Sequence, residues 1–263
     1  MTDEPILLNV EDGIATITLN RPEAGNAINL PLAKAMFQAA LKCEADPLIR
    51  CVVLTAKGRL FCGGGDLGDF ATAGENIGAY LAELAGTLHM AVARLMRMRK
   101  PLLVLVNGPA AGAGLSLALM GDMVIAGRAA NFSTAYGGVG LSPDGGASWM
   151  LPRLVGMRLA QEMIIANRRL SAEEAEAHGL ITAVVDDAEL VAEGQKRAAR
   201  LNASAVGAIG AARALLLESV GGGFEAHLDF ELRSIAERGT SAECREGVAA
   251  FLEKRKPDFK SVG

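Results

Sequence analysis

Three short stretches carry residue types that could do chemistry together. Residues 61–67 (FCGGGDL) and 107–116 (NGPAAGAGLS) are glycine-rich, and each follows a short apolar run of β character. Glycine lets a backbone come close to a ligand because no Cβ blocks the approach. Two such strand ends aimed at one point would present two N–H groups to one oxygen, the arrangement of an oxyanion hole. The third stretch, Ser142-Pro143-Asp144-Gly145-Gly146, holds a carboxylate in a turn. A carboxylate beside two such donors could move a proton next to a carbonyl whose oxygen is held as an anion.

Plainer readings compete with these. Pro-Asp-Gly is a turn signature, so Asp144 could serve the turn alone. Gly114-x-Ser116-x-Ala118 approximates a nucleophile elbow, but its second glycine is missing and a small-residue helix is simpler. Neither glycine stretch is a phosphate loop, since no G-K-[ST] is present and no G-x-G-x-x-G follows a strand. Trp149 and His89 read as packing residues, Cys62 as a small core residue, and Tyr136 as a pocket wall rather than an acid.

The elements that must position these groups follow from patterning. Residues 6–10 and 14–19 flank Glu11-Asp12-Gly13, a hairpin signal. Asn29 and Pro31 start a helix that runs to about Ala45. Residues 51–55 (CVVLT) form a buried strand feeding the first glycine stretch. A long amphipathic helix through Ile77, Leu81, Leu84, Leu88, Val92 and Leu95 follows, and Pro101 ends it. Residues 102–106 are the next strand, 112–120 a short helix, and 123–126 and 131–133 short strands. A helix starts near Ala147. Ser171 and Glu174 make a capping box, Gly179 stops that helix, and 181–185 is a last strand. Helix predominates from Glu189 on. The expected architecture is α/β, with a spiral core over residues 1–200 and a helical C-terminal subdomain over 201–263.

Bulk composition excludes several classes. The chain has 263 residues, 51% hydrophobic and 21% charged, enough for one large core. A net charge of −4 without a basic stripe argues against nucleic acid. Cys43, Cys51, Cys62 and Cys244 show no C-x-x-C spacing and read as free thiols of a reducing compartment. The scattered His89, His178 and His227 give no metal cluster, so no metal site is expected. Residues 1–10 (MTDEPILLNV) lack the basic and apolar regions of a leader, so a cytoplasmic location is expected. The uncharged run 101–121 is long enough to suggest a membrane span. Asn107-Gly108-Pro109 breaks it, so no membrane association is expected.

The chain resembles the crotonase superfamily, the enoyl-CoA hydratases and isomerases. The resemblance rests on Asn20-Arg21-Pro22 with Asn26-Ala27, on residues 61–67, on Asn107-Gly108 with Gly112-Ala113-Gly114, and on 180–185 after an alanine-rich helix. Within that superfamily, AAGAGLSLA (110–118), GLSPDGG (140–146) and REGVAAF (245–251) most resemble the phenylacetate-pathway enoyl-CoA isomerases. The resemblance implies a spiral of ββα turns, trimerisation or a dimer of trimers through the C-terminal helices, and an acyl-CoA thioester substrate. Coenzyme A then belongs to the substrate, and no separate cofactor is implied. Gly65 and Ala113 would supply the two oxyanion N–H groups. Glu23, Ala24, Ala27, Gly63, Gly64, Asp66 and Leu67 would contact CoA, and Phe251 and Lys254 would close the CoA pocket of a neighbouring subunit.

Hydratases of this family place two glutamates in the site. Here Ser116 and Tyr136 occupy those positions, where they would touch substrate, and Asp144 is the acidic residue that remains. One carboxylate suffices to carry a proton from C2 to C4, whereas hydration also needs a positioned water, so double-bond isomerisation is the leading expectation. Apolar surroundings are expected to raise the pKa of Asp144. The alternatives are an enoyl-CoA hydratase and a non-catalytic acyl-CoA-binding protein. Covalent catalysis by Asp144, as in the family's dehalogenases, would require a histidine after the first glycine loop, at a position taken here to be Ala93.

Overall fold

The computed structural model describes residues 4–262. The expectation about a leader rests partly on residues 1–3, outside that range. Strands β1 (Ile6–Glu11) and β2 (Ile14–Leu19) form the expected hairpin. Its two-residue loop places Asp12 and Gly13 at φ 49° and 84°, the left-handed pair that suits the twist of a tight hairpin. In β2 every second residue is buried (Ala15, Ile17, Leu19), the period of a strand with one covered face.

Next come α1 (Leu30–Ala45), β3 (Cys51–Ala56), α2 (Leu67–Ala73) and α3 (Ile77–Arg97), then β4 (Leu102–Val106), β5 (Ala110–Ala111) and α4 (Ala113–Leu119). Asn29 caps α1 as expected, its side chain accepting from Leu32 N at 3.1 Å. The chain continues through β6 (Met123–Gly127), β7 (Asn131–Ser133), α5 (Ala147–Leu154), α6 (Gly156–Ile165), β8 (Leu170–Ser171), α7 (Ala172–Ala177) and β9 (Ala183–Val185). The helix expected from Ala147 is therefore two. It breaks at Val155, before Gly156 at φ 77°, a conformation that favours glycine.

The large sheet runs β1-β2-β3-β4-β6-β9, parallel from β2 onward. Its central strands are buried on both faces, so they read as continuous apolar runs. Leu102, Val104 and Val106 of β4 join the main core, which also takes in the buried residues of α1 and α3. Leu103 and Leu105 join a smaller core on the other face, with Leu190 and Ala198 of α8 (Leu190–Asn202). The run once suggestive of a membrane span is β4, β5 and α4, packed in the interior. Among the described residues no single helix is long and apolar enough to cross a membrane.

A second, small layer explains the site. Three successive turns share one plan: a strand of the large sheet, a short extended piece beside it, then helix. The extended pieces are Cys62, β5 and β7. They lie side by side in parallel, through the Cys62–Ala110 bridge and the β5–β7 pairing. Each glycine-bearing or turn segment leaves this layer at its C-terminal edge, where ligands of parallel sheets are usually met.

The C-terminal helices are α9 (Val206–Glu218), α10 (Phe224–Gly239) and α11 (Ala242–Leu252). Buried Arg213 fastens α9 to the body. Its Nε donates to Asp122 Oδ1 at 2.7 Å, and its other nitrogens donate to the Leu95, Met98 and Lys100 carbonyls.

Candidate active site

A cavity of about 380 Å³ opens where the three extended pieces end. Its floor is Gly63–Gly65 after Cys62, and Gly112 with Ala113 after β5. Its walls are Leu81, Leu84 and Leu88 of α3, with Tyr136 and Val139. Asp144 is the one carboxylate among the described residues that lines it.

The two backbone donors follow from connectivity. Ile28 N donates to Gly64 O at 2.7 Å, and Asp66 N donates to Ile28 O at 2.9 Å. A trans peptide points its N–H opposite to its C=O, so the Gly64–Ile28 bond turns Gly65 N–H to the other side. Ala113 is the first residue of α4, and first-turn N–H groups lack intrahelical acceptors. Neither N–H has a protein acceptor among the described residues. Two close approaches hold the segments together. A Cβ on Gly64 (φ 100°) would stand 3.1 Å from Ala111 O, and one on Gly112 (φ 55°) would stand 3.4 Å from Gly64 Cα. A Cβ on Gly65 would overlap the Phe70 ring.

Asp144 sits in a fastened turn at the edge of this largely apolar cavity. Tyr136 Oη donates to Asp144 Oδ1 at 2.7 Å. Burial, and then the Asp144 charge, push the Tyr136 phenol well above its ordinary pKa, so it remains a donor at neutral pH. Tyr136 is thus a cavity wall, as expected, and a partner of the carboxylate as well.

Ser116 is fully buried in α4, and its Oγ donates to the Asp144 carbonyl at 2.9 Å. It lies behind the cavity rather than lining it. His89, expected only to pack, accepts the Gly145 N–H at Nε2 (3.0 Å) and stands 3.7 Å from Asp144 Oδ2. Ala93 lies one turn further along α3, so the histidine near the carboxylate is His89. Trp149 is another departure: it is exposed on α5, with the Arg153 guanidinium 4.1 Å from its ring centre. Cys62 is a core residue, as expected. Burial pushes its thiol up to about 12.

The remaining candidates divide between two places. Leu67 lines the cavity, whereas Glu23 and Ala24 line a separate shallow groove with Asn20, Arg21 and Asn29. Arg21, part of the Asn20-Arg21-Pro22 motif but given no role from the sequence, joins these regions. Its guanidinium donates to the Ala27 carbonyl and to Asp66 Oδ2 (3.0 Å). Asp66 also caps α2 through Gly68 N. Buried Asn26 pins the same loop, accepting from Arg21 N and donating to the Lys57 and Leu60 carbonyls. Phe251 is exposed on α11 and Lys254 follows it; neither lines this chain's cavity.

The arrangement resembles known proteins over its whole length. The family described as Enoyl-CoA hydratase/isomerase matches residues 9–262. The 1,2-epoxyphenylacetyl-CoA isomerase of Escherichia coli strain K12 is 39% identical over 260 residues, covering 97% of this chain and 98% of that protein. A Rhodobacter capsulatus protein named "Probable enoyl-CoA hydratase" is 40% identical over 259 residues, covering 98% and 99%. The crystal structure of an enoyl-CoA hydratase from Polaromonas sp. JS666 superposes with a TM-score of 0.92 at 34% identity, covering 96% of this chain and 98% of that one.

Proposed function

From its membership of the enoyl-CoA hydratase/isomerase family, and hence its standing as an acyl-CoA-processing enzyme, we propose that this chain moves the double bond of an enoyl-CoA by one-carboxylate proton transfer. The observation that carries this is a single carboxylate, Asp144, in a cavity floored by two uncommitted N–H groups. The thioester oxygen sits against Gly65 N–H and Ala113 N–H. Asp144 removes a C2 proton, the dienolate is held by the two donors, and the same proton returns at C4. Each donor contributes roughly 2.7–4 kcal/mol to transition-state stabilisation. The α4 dipole adds to the field at Ala113.

Hydration is the second reading, since the likeness extends to proteins named as hydratases. It would need a second group to steer water. The Ser116 and Tyr136 hydroxyls are already committed to Asp144, which favours isomerisation. A paired assay decides: consumption of 3-hexenoyl-CoA to the 2-enoyl product, against hydration of crotonyl-CoA, on one preparation. Isomerisation well above hydration is expected, and the reverse ratio would establish the hydratase. Specific CoA-thioester binding with no turnover of either substrate would leave a binding protein.

The proposal includes self-association. Leu232, Ile235, Val248 and Phe251 of α10 and α11 are exposed, and apolar surface of this kind marks interfaces. Packing of these helices between chains would bring Phe251 and Lys254 to a neighbour's CoA groove. Light scattering is expected to give a trimeric or hexameric mass, and a monomer would refute the interface.

A further inference from the structure

His89 reaches the Asp144 turn from α3, across the cavity wall. A backbone N–H can only donate, so the Nε2 that meets Gly145 N–H presents a lone pair. The ring is then the neutral tautomer with its proton on Nδ1. With that lone pair committed, the 3.7 Å approach to Asp144 Oδ2 is not an ion pair.

The turn needs such a fastening. Gly145 and Gly146 stand at φ 60° and 88°, and paired glycines leave a chain many conformations. Tyr136 holds Oδ1, and Ser116 holds the Asp144–Gly145 peptide by its carbonyl only. His89 holds the opposite side of that same peptide, its N–H, and so fixes the plane between two anchors, from the helix whose Leu84 and Leu88 line the cavity. It is half-exposed and does not itself line the cavity.

We propose that His89 is a positioning residue: as a neutral acceptor of the Gly145 N–H it fixes the Asp144 carboxylate against the cavity wall. This rests on Asp144 being the proton carrier. The test compares His89→Ala, His89→Gln, His89→Lys and Asp144→Asn by kcat and KM for isomerisation of 3-hexenoyl-CoA, alongside thermal unfolding. The glutamine carbonyl can take the place of Nε2, whereas lysine can only donate. His89→Ala and His89→Lys are expected to lose roughly ten- to a hundredfold in kcat with KM within about twofold. His89→Gln keeps activity within about threefold, a smaller loss because its acceptor remains.

Equal losses in His89→Gln and His89→Ala, or no loss in His89→Ala, would overturn the proposal. If His89→Ala fails to fold, the contrast between glutamine and lysine decides it. Full activity in Asp144→Asn would instead remove the reading beneath it, whatever the His89 variants do.

Discussion

Asp144→Asn is expected to lower kcat for double-bond migration by roughly 10²- to 10⁴-fold, the usual contribution of a positioned general base. Asparagine matches aspartate in shape. Its side-chain oxygen still accepts from Tyr136, and the backbone bonds to Ser116 Oγ and Ala147 N do not involve the side chain. What disappears is the capacity to take a proton at neutral pH. KM should therefore move little, and the unfolding temperature should hold. Steady-state kinetics on 3-hexenoyl-CoA check this, and a variant with wild-type kcat would exclude Asp144 as the base.

The largest stability effect is expected far from the chemistry. Arg213 is 8% exposed at its side chain and answers one carboxylate and three carbonyls. Leu95 and Met98 belong to the end of α3, where carbonyls have no intrahelical donor, and a cation there also suits the helix dipole. Asp122 uses its other oxygen to accept from Leu102 N at 2.7 Å, the first residue of β4. Arg213→Met keeps most of the volume but leaves Asp122 without its cation and three carbonyls without that donor. Asp122 is about a third exposed, so the ion pair itself is partly screened, but leaving buried acceptors unpaired costs about 1–3 kcal/mol, and a loss in that range is expected in the urea-unfolding free energy. Arg213→Lys should recover little, because one ammonium cannot span the fork that a guanidinium makes. A loss below about 1 kcal/mol, the scale of an exposed ion pair, would show that the network contributes little.

Much of the fold was legible because local signals and tertiary structure agree. The Asp12-Gly13 hairpin, the Asn29 cap, the Ser171–Glu174 capping box and the apolar strands β3 and β4 each state their own geometry. The two-residue strands β5 and β8 were missed because so short a piece has no period to detect. The division of α5 from α6 was missed because Pro152 sits inside the first helix while the break falls at Gly156. At the site, Asp144 and the glycine segments were visible through residue type and turn chemistry. His89 was not, since 56 residues separate it from Gly145 and its place beside Leu88 on an amphipathic helix looks like ordinary packing. Arg213 was equally silent, because a guanidinium that spans several carbonyls leaves no spacing in the chain.

The parallel course of the small layer carries a consequence for insertions and deletions. Gly65 N–H faces the cavity because the peptide before it gives its carbonyl to Ile28. That peptide is set by Gly64 at φ 100°, a bend open to glycine and strained for other residues. One residue added or removed between the Cys62–Ala110 bridge and Gly65 would take the Gly64 carbonyl out of reach of Ile28 and release the orientation of Gly65 N–H. The charge preference of the cavity floor thus depends on the length of the short Gly63–Gly65 loop. Natural variants should keep that length, and the glycines with it.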